Sequence, residues 1–203
     1  MLDSASESAI THAAAAIRNG EIVVFPTETF YGVAVDPFSS TAMERLFALK
    51  GREPSKTVAL IAADGDSAFG LASAVPACAR RLADCFWPGP LTMVMPARAG
   101  LHESLVGPDG GVGVRVSPHP TALALATAVG HPITATSANR AGEPPASTLA
   151  MAQRAFGDRV RIYLDGGELT AIAPSTVVAC GADGWRIIRA GPISADQINA
   201  ALG

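Results

Sequence analysis

The sequence predicts an α/β protein with a mixed β-sheet flanked by helices, and three observations carry that reading. Strand-like and helix-like runs alternate through the middle of the chain. Toward the end, strand-like runs follow one another without a helix between them, which a purely parallel sheet does not allow because each parallel pair needs a crossover. Finally, 49% of the 203 residues are hydrophobic and only 16% are charged, enough apolar material for one substantial core. No Ser/Gly-rich or charge-rich linker interrupts the chain, so residues 1–203 are read as a single domain.

The first helix is expected over Glu7 to Asn19, where Ile10, Ala13, Ala14 and Ile17 recur at helical spacing and Gly20 supplies a stop. A strand follows over Glu21 to Phe25. It ends at Pro26, and the polar loop Thr27-Glu28-Thr29 leads to a second strand over Tyr31 to Val35. Thr41 and Glu44 have capping-box spacing for a helix that turns Met43, Leu46, Phe47 and Leu49 inward and stops at Gly51. A strand is expected at Val58 to Ala63 and a helix at Pro76 to Phe86. Trp87-Pro88-Gly89-Pro90 ends that helix, since two prolines and a glycine cannot continue it.

Strands are then expected at Leu91 to Met95 and Val112 to Val116, a helix at Thr121 to Val129, and a strand at Ile133 to Thr136 that runs into Ser137-Ala138-Asn139. The remainder reads as a helix near Leu149 to Phe156 and strands near Val160 to Leu164, Thr176 to Cys180 and Arg186 to Arg189. Ser194 and Gln197 have capping-box spacing for a last helix.

Composition excludes several functional classes. The apolar runs fall short of the ~20 residues a membrane-spanning helix requires, and the start, Met1-Leu2-Asp3-Ser4, has no basic region followed by an apolar stretch. A cytoplasmic protein is expected. Cys78, Cys85 and Cys180 are odd in number and lack CxxC spacing, so buried, inert thiols are expected in place of a disulfide framework or zinc site. The four histidines show no ligand spacing, and no protein-bound metal is expected. A net charge of −3 gives no global nucleic-acid signature, though it says nothing of local patches.

The candidate chemistry lies in Lys50-Gly51-Arg52 and Ser137-Ala138-Asn139. A lysine point charge, a planar arginine fork and two small hydrogen-bonding side chains suit a polyanion; each piece alone reads better as solvated surface charge or as a turn. Arg115 stands inside an apolar strand, where it is either paired, functional or turned outward on a half-exposed sheet. Gly107 to Gly113 lacks both the GK[ST] ending and the GxGxxG spacing, and reads as a flexible hairpin or lid. Without a GxSxG elbow or an adjacent histidine, Ser137 and Ser175 do not suggest a serine hydrolase.

Together these pieces form an ordered series: Phe25-Pro26-Thr27-Glu28-Thr29-Phe30-Tyr31-Gly32, Lys50-Gly51-Arg52, Trp87-Pro88-Gly89-Pro90-Leu91-Thr92, Val114-Arg115-Val116, Thr136-Ser137-Ala138-Asn139, Ser175-Thr176-Val177-Val178 and Ile188-Arg189-Ala190-Gly191. The series resembles the YrdC-like family from about Gly20 to Ile193. The resemblance implies a twisted single-domain α/β fold with a large, positively lined concave cavity. It also implies threonylcarbamoyl-AMP synthesis from L-threonine, bicarbonate and ATP, toward N6-threonylcarbamoyladenosine at position 37 of tRNA.

On that resemblance Lys50, Arg52, Lys56, Ser137, Asn139 and Arg189 would hold ATP, with Mg²⁺ on the triphosphate. Thr27, Arg115, Ala135 and Ser175 would hold threonine, and Lys50 and Arg52 would neutralise charge during catalysis. Glu28 is expected to accept backbone hydrogen bonds in its loop. The product would pass to a separate tRNA threonylcarbamoyl transferase complex, with a direct tRNA or double-stranded RNA contact left open. One departure stands out: a threonine-contacting histidine of many relatives falls on Ile61. The chain resembles the short bacterial type. The alternatives are a paralogue of the same fold that binds RNA or ribosomes without synthase activity, and a carbamoyl-adenylate enzyme akin to hydrogenase-maturation proteins.

Overall fold

The structure is a computed structural model and describes residues 2–3, 6–51, 57–171 and 173–203. In chain order the elements are β1 (Leu2–Asp3), α1 (Glu7–Arg18), β2 (Val23–Phe25), β3 (Gly32–Ala34), α2 (Ser40–Lys50), β4 (Leu60–Ala62), α3 (Gly65–Phe69), α4 (Ala77–Phe86), β5 (Leu91–Pro96), β6 (Gly111–Val116), α5 (Pro120–Val129), β7 (Ile133–Thr134), β8 (Thr136–Ser137), α6 (Leu149–Phe156), β9 (Ile162–Asp165), β10 (Thr176–Gly181), β11 (Gly184–Arg189) and α7 (Ala195–Leu202).

The α/β class and the mixed pairing expected from the sequence are present, with the strands divided between two sheets. One runs β1-β9-β2-β3-β8 and the other β11-β10-β5-β6-β4-β7. Both mix directions: β9 pairs in parallel with β2 while β3 pairs antiparallel with it, and β10 is parallel to β5 while β6 is antiparallel. The run expected as one strand from Ile133 to Thr136 is in fact two. Ile133 and Thr134 pair with β4, then the chain changes sheet at Ala135 and Thr136 and Ser137 pair with β3. The Ala135 N–H donates to Ala59 O at 2.9 Å, which keeps the crossing point bonded to the β4 side.

Helix boundaries follow local chemistry. In α1 the Ser6 hydroxyl accepts from the Ala9 N–H and the buried face is Ala9, Ile10, Ala13, Ala14, Ala16 and Ile17. This small-residue face lets α1 approach α5, and both cover the core of Val23, Phe25, Ile61, Ile162 and Leu164. Ile61 is fully buried there and takes no part in lining the cavity described below. The α2 cap corrects the expectation from sequence: Ser39, two residues before Thr41, accepts from Ala42 N. Gly51 ends α2 with φ +58°, a conformation that favours glycine, so Lys50 stays in the last turn. At α7 the Ser194–Gln197 capping box forms in both directions.

The short helix α3 has no counterpart in the sequence reading, because five residues are too few to display a period. The expectation of buried thiols holds for Cys180 but not for Cys85, which is exposed on α4 opposite Ala79, Leu82 and Ala83. Of the hairpin or lid expected at Gly107 to Gly113, the structure shows a tight hairpin turn, flanked by the antiparallel bridge of Val106 with Val112. Gly107 N–H donates to Gly111 O at 2.8 Å and Gly110 N–H to Gly107 O at 2.9 Å, and Gly111 to Gly113 already belong to β6.

Candidate functional site

A cavity of about 630 Å³ opens where the two sheets meet. The first sheet and its loop contribute Thr27, Thr29, Gly32, Thr136 and Ser137. The second contributes Thr92, Arg115, Val177 and Arg189, while Ser175 comes from the loop entering β10. Six residues chosen from the sequence therefore line one space although they span more than 160 positions: Thr27, Arg115, Ala135, Ser137, Ser175 and Arg189.

Arg115 sits near the C-terminal end of β6 with its Nε donating to Glu28 Oε1 at 2.9 Å. Ser117 donates its hydroxyl to the other oxygen, Glu28 Oε2. Glu28 thus accepts from two side chains, a correction to its expected role as an acceptor for its own loop backbone; strand β6 and the residue just past it bring both donors to it. Buried carboxylates and guanidiniums are tolerated when so paired. Among the described residues Ser104 Oγ is the one buried side-chain polar atom without a partner. The two terminal nitrogens of Arg115, for which Nε is the atom in the ion pair, therefore remain accessible from the cavity.

Arg189 is fastened by three contacts to Ser175. Its Nε and Nη2 donate to the Ser175 carbonyl at 3.2 and 2.8 Å, and Nη2 reaches Ser175 Oγ at 3.1 Å. Burial lowers the Arg189 pKa from its ordinary value, and the like charge of Arg115 lowers it further. Three guanidiniums, of Arg115, Arg186 and Arg189, thus line one cavity, with the Glu28 carboxylate behind the first and Asp109 paired to the second. That arrangement has an electrostatic demand for an anion. Ser175 Oγ also shares a 2.9 Å hydrogen bond with Thr92 Oγ1. Thr27 Oγ1 donates to Phe30 O at 2.7 Å and accepts from Thr29 N–H at 3.2 Å, which fixes its loop across the cavity.

Behind this wall, Lys50 is 4% exposed and donates from Nζ to the Ser137 carbonyl at 2.5 Å, with Asn139 Oδ1 at 3.5 Å. Ser137 Oγ donates to the same Asn139 oxygen, and Asn139 Nδ2 donates to the Arg140 and Glu143 carbonyls. The lysine and the Ser-Ala-Asn segment, 87 residues apart, are thus one hydrogen-bonded unit. Arg52 and Lys56 lie outside the described residues. Sequence reasoning missed Thr29, Thr92, Asp109 and Arg186 as lining residues. The first two sit inside motifs already noted, next to Thr27 and Leu91, whereas nothing local marks the last two.

Fold and cavity define an α/β protein whose cavity is lined by three arginines and several hydroxyls, chemistry suited to an anion. The chain belongs to the Sua5/YciO/YrdC family: the family model, described as "Telomere recombination", matches residues 15–191. A putative threonylcarbamoyl-AMP synthase of Mycobacterium tuberculosis is 37% identical over 96% of this chain and 89% of its own length. A threonylcarbamoyl-AMP synthase of Chromohalobacter salexigens is 41% identical over 83% of this chain and 90% of its own. Among solved structures, P. abyssi Sua5 complexed with L-threonine superposes with a TM-score of 0.90 at 33% identity, covering 96% of this chain and 57% of that one.

Proposed function

We propose that this chain is an L-threonylcarbamoyladenylate synthase, a nucleotidyltransferase that makes threonylcarbamoyl-AMP and pyrophosphate from L-threonine, bicarbonate and ATP. The observation that carries the reading is the pairing of Arg115 and Arg189 in one cavity with the hydroxyls of Thr27, Thr92 and Ser175. Threonine offers one carboxylate, one ammonium and one hydroxyl, and the cavity offers cations and hydroxyls to match. In this reading Arg115 takes the carboxylate through its terminal nitrogens, and Thr27 and Ser175 take the remaining polar groups. At Ala135 the N–H is already engaged, so contact there falls to the carbonyl.

ATP occupies the rest of the space, held by Lys50, Ser137, Asn139 and Arg189, with Arg52 and Lys56 added from the segment between α2 and β4. Asp109 is the one carboxylate among the described residues that line the cavity. We therefore assign the Mg²⁺ to the triphosphate and its waters as part of the substrate. The threonine amine condenses with bicarbonate, releasing water, and the resulting carbamate oxygen attacks the α-phosphorus. The bond from the α-phosphorus to the α,β-bridging oxygen breaks, and pyrophosphate leaves with that electron pair. Positioning and charge neutralisation, with Lys50 and Arg52 in that role, supply the rate enhancement.

We place the reaction in the cytoplasm, with the whole chain acting as one domain and the labile product passed to a separate tRNA-modifying transferase. Among the described residues no helix is long and apolar enough to cross a membrane. The test is to incubate purified protein with ATP, bicarbonate, L-threonine and Mg²⁺ and follow pyrophosphate and threonylcarbamoyl-AMP. Threonine-dependent release of pyrophosphate is expected. Its absence in a protein that remains folded rules out the synthase and leaves the RNA-binding paralogue as the reading to pursue.

A further inference from the structure

Asp109 and Arg186 face each other at the edge of the cavity, and neither belongs to the ordered motif series that carries the family resemblance. Arg186 projects from β11 and Asp109 from the tight turn before β6, and Arg186 Nη2 stands 2.6 Å from Asp109 Oδ2. Both line the cavity, and their side chains are 61% and 75% exposed. The turn that presents Asp109 is held on both sides, by Gly107 N–H to Gly111 O and by Ala97 N–H to Gly110 O at 2.9 Å.

We propose that Arg186 is a further nucleotide-binding residue, one that grips the polyphosphate after exchanging Asp109 for it. The inference rests on the ATP-dependent reading of the cavity given above. An exposed, single ion pair adds little net stability and is weakened by salt. A triphosphate carries more charge than one carboxylate and offers several oxygens to the planar guanidinium fork, so it wins the exchange. Arg186 stands three residues before Arg189 on the strand that already delivers a cation to the same space. Once released, Asp109 is exposed enough to turn into water. It therefore acts as an internal competitor that reduces affinity for the anionic ligand and costs an uncharged ligand nothing.

This predicts effects of opposite sign from the two halves of one ion pair. Binding of a non-hydrolysable ATP analogue with Mg²⁺ is measured calorimetrically on the full chain for the parent, Arg186→Ala and Asp109→Asn, at low and high ionic strength, with thermal melting as a control for folding. Arg186→Ala is expected to weaken binding about tenfold, the size of one lost charge-assisted hydrogen bond. Asp109→Asn is expected to tighten it about threefold at low salt, with the gain shrinking as salt rises.

If the pair is only a brace between β11 and the turn, both substitutions shift binding in the same direction or neither does, and the proposal is overturned. Unchanged affinity in a folded Arg186→Ala also overturns it while leaving the synthase reading intact. A parent protein that binds no nucleotide removes both.

Discussion

Glu28 and Arg115, 87 residues apart, form an ion pair at 2.9 Å with side chains only 12% and 6% exposed. The pair joins the loop after β2 to the C-terminal end of β6, so one contact couples the two sheets on either side of the cavity. Ser117 holds the second carboxylate oxygen, and His119 N–H in turn donates to Ser117 Oγ at 3.2 Å. Burial lowers the His119 pKa, and the Glu28 charge opposes that fall. Glu28 does not line the cavity; it pairs with Arg115 Nε, which leaves the terminal nitrogens for the carboxylate proposed above.

Replacing Glu28 by Ala strands a buried guanidinium beside a second one, a loss on the order of 3–5 kcal/mol for a broken buried pair. Glu28→Gln keeps an oxygen for Arg115 Nε and is expected to lose less. Denaturant unfolding gives the stability order parent, Gln, Ala. Steady-state kinetics on folded protein should show the threonine KM rising more than the ATP KM, in the same order. Equal rises in both would mean that Glu28 serves the fold alone.

Ser175→Ala tests the other side of the cavity. The substitution removes the hydroxyl shared by Thr92 and Arg189 while leaving the backbone carbonyl that receives two of the three Arg189 contacts. The expected stability cost is about 1–2 kcal/mol, set by the buried Thr92 hydroxyl that loses its partner. Threonine affinity should fall about tenfold through the same lost hydrogen bond and a looser Arg189. Isothermal titration with L-threonine reads this directly, and unaltered affinity would remove Ser175 from the site.

Part of the candidate site was legible because some of its residues carry unusual local signals. An arginine in the run Val112 to Val116, a lysine before a helix-ending glycine and a Ser-Ala-Asn turn each stand out in an apolar chain. Their order along the chain, matched to a family, brought them together. Long-range partnership was not legible. Nothing near Glu28 indicates that its partners are Arg115 and Ser117, and nothing near Ala135 indicates a change of sheet, since periodicity reports which face a side chain takes and not which strand lies beside it. Ser39 and Thr41 have the same capping chemistry two residues apart, so only backbone geometry decides between them. The Asp109–Arg186 pair was invisible because two exposed charges 77 residues apart look like ordinary surface.

Gly191 is expected to tolerate no side chain. A Cβ there would lie 2.4 Å from Thr176 N and 2.5 Å from Pro174 O, both backbone atoms that cannot turn aside. Gly191→Ala must push the Pro174–Ser175 segment, which lines the cavity, and a cost of about 1–3 kcal/mol or more is expected for such overpacking. Thermal unfolding should fall accordingly, with weaker threonine binding in whatever protein remains folded. A melting temperature equal to the parent's would contradict the close approach.

Cys180 makes a prediction in pH. Burial, reinforced by neighbouring Cys78, pushes its thiol from an ordinary 9.0 up to about 12. Above pH 9 the unfolded chain loses this proton while the folded one keeps it, so the unfolded state binds fewer protons and stability falls as pH rises. The contribution is fully present below about pH 9 and is lost as pH rises from there toward about 12. Cys180→Val should flatten that part of the stability profile in urea unfolding. At pH 8, a thiol reagent should label exposed Cys85 quickly and Cys180 only on unfolding; rapid labelling of Cys180 in the native state would be incompatible with its burial.

Lys50→Met separates charge from packing at the nucleotide side. Methionine retains an unbranched stem for the 4% exposed position but cannot donate to the Ser137 carbonyl. The orphaned acceptor should cost about 1–3 kcal/mol. If Lys50 neutralises charge in the reaction as proposed, loss of its positive charge should reduce turnover by about 10²–10³-fold. The measurement is pyrophosphate release under saturating threonine, alongside circular dichroism to establish that the helix carrying residue 50 is intact. Because Lys50 also fixes the Ser137-Ala138-Asn139 turn, nucleotide affinity should fall with turnover. A variant that binds ATP normally yet turns over slowly would limit the lysine to transition-state stabilisation, whereas normal turnover would exclude it from catalysis.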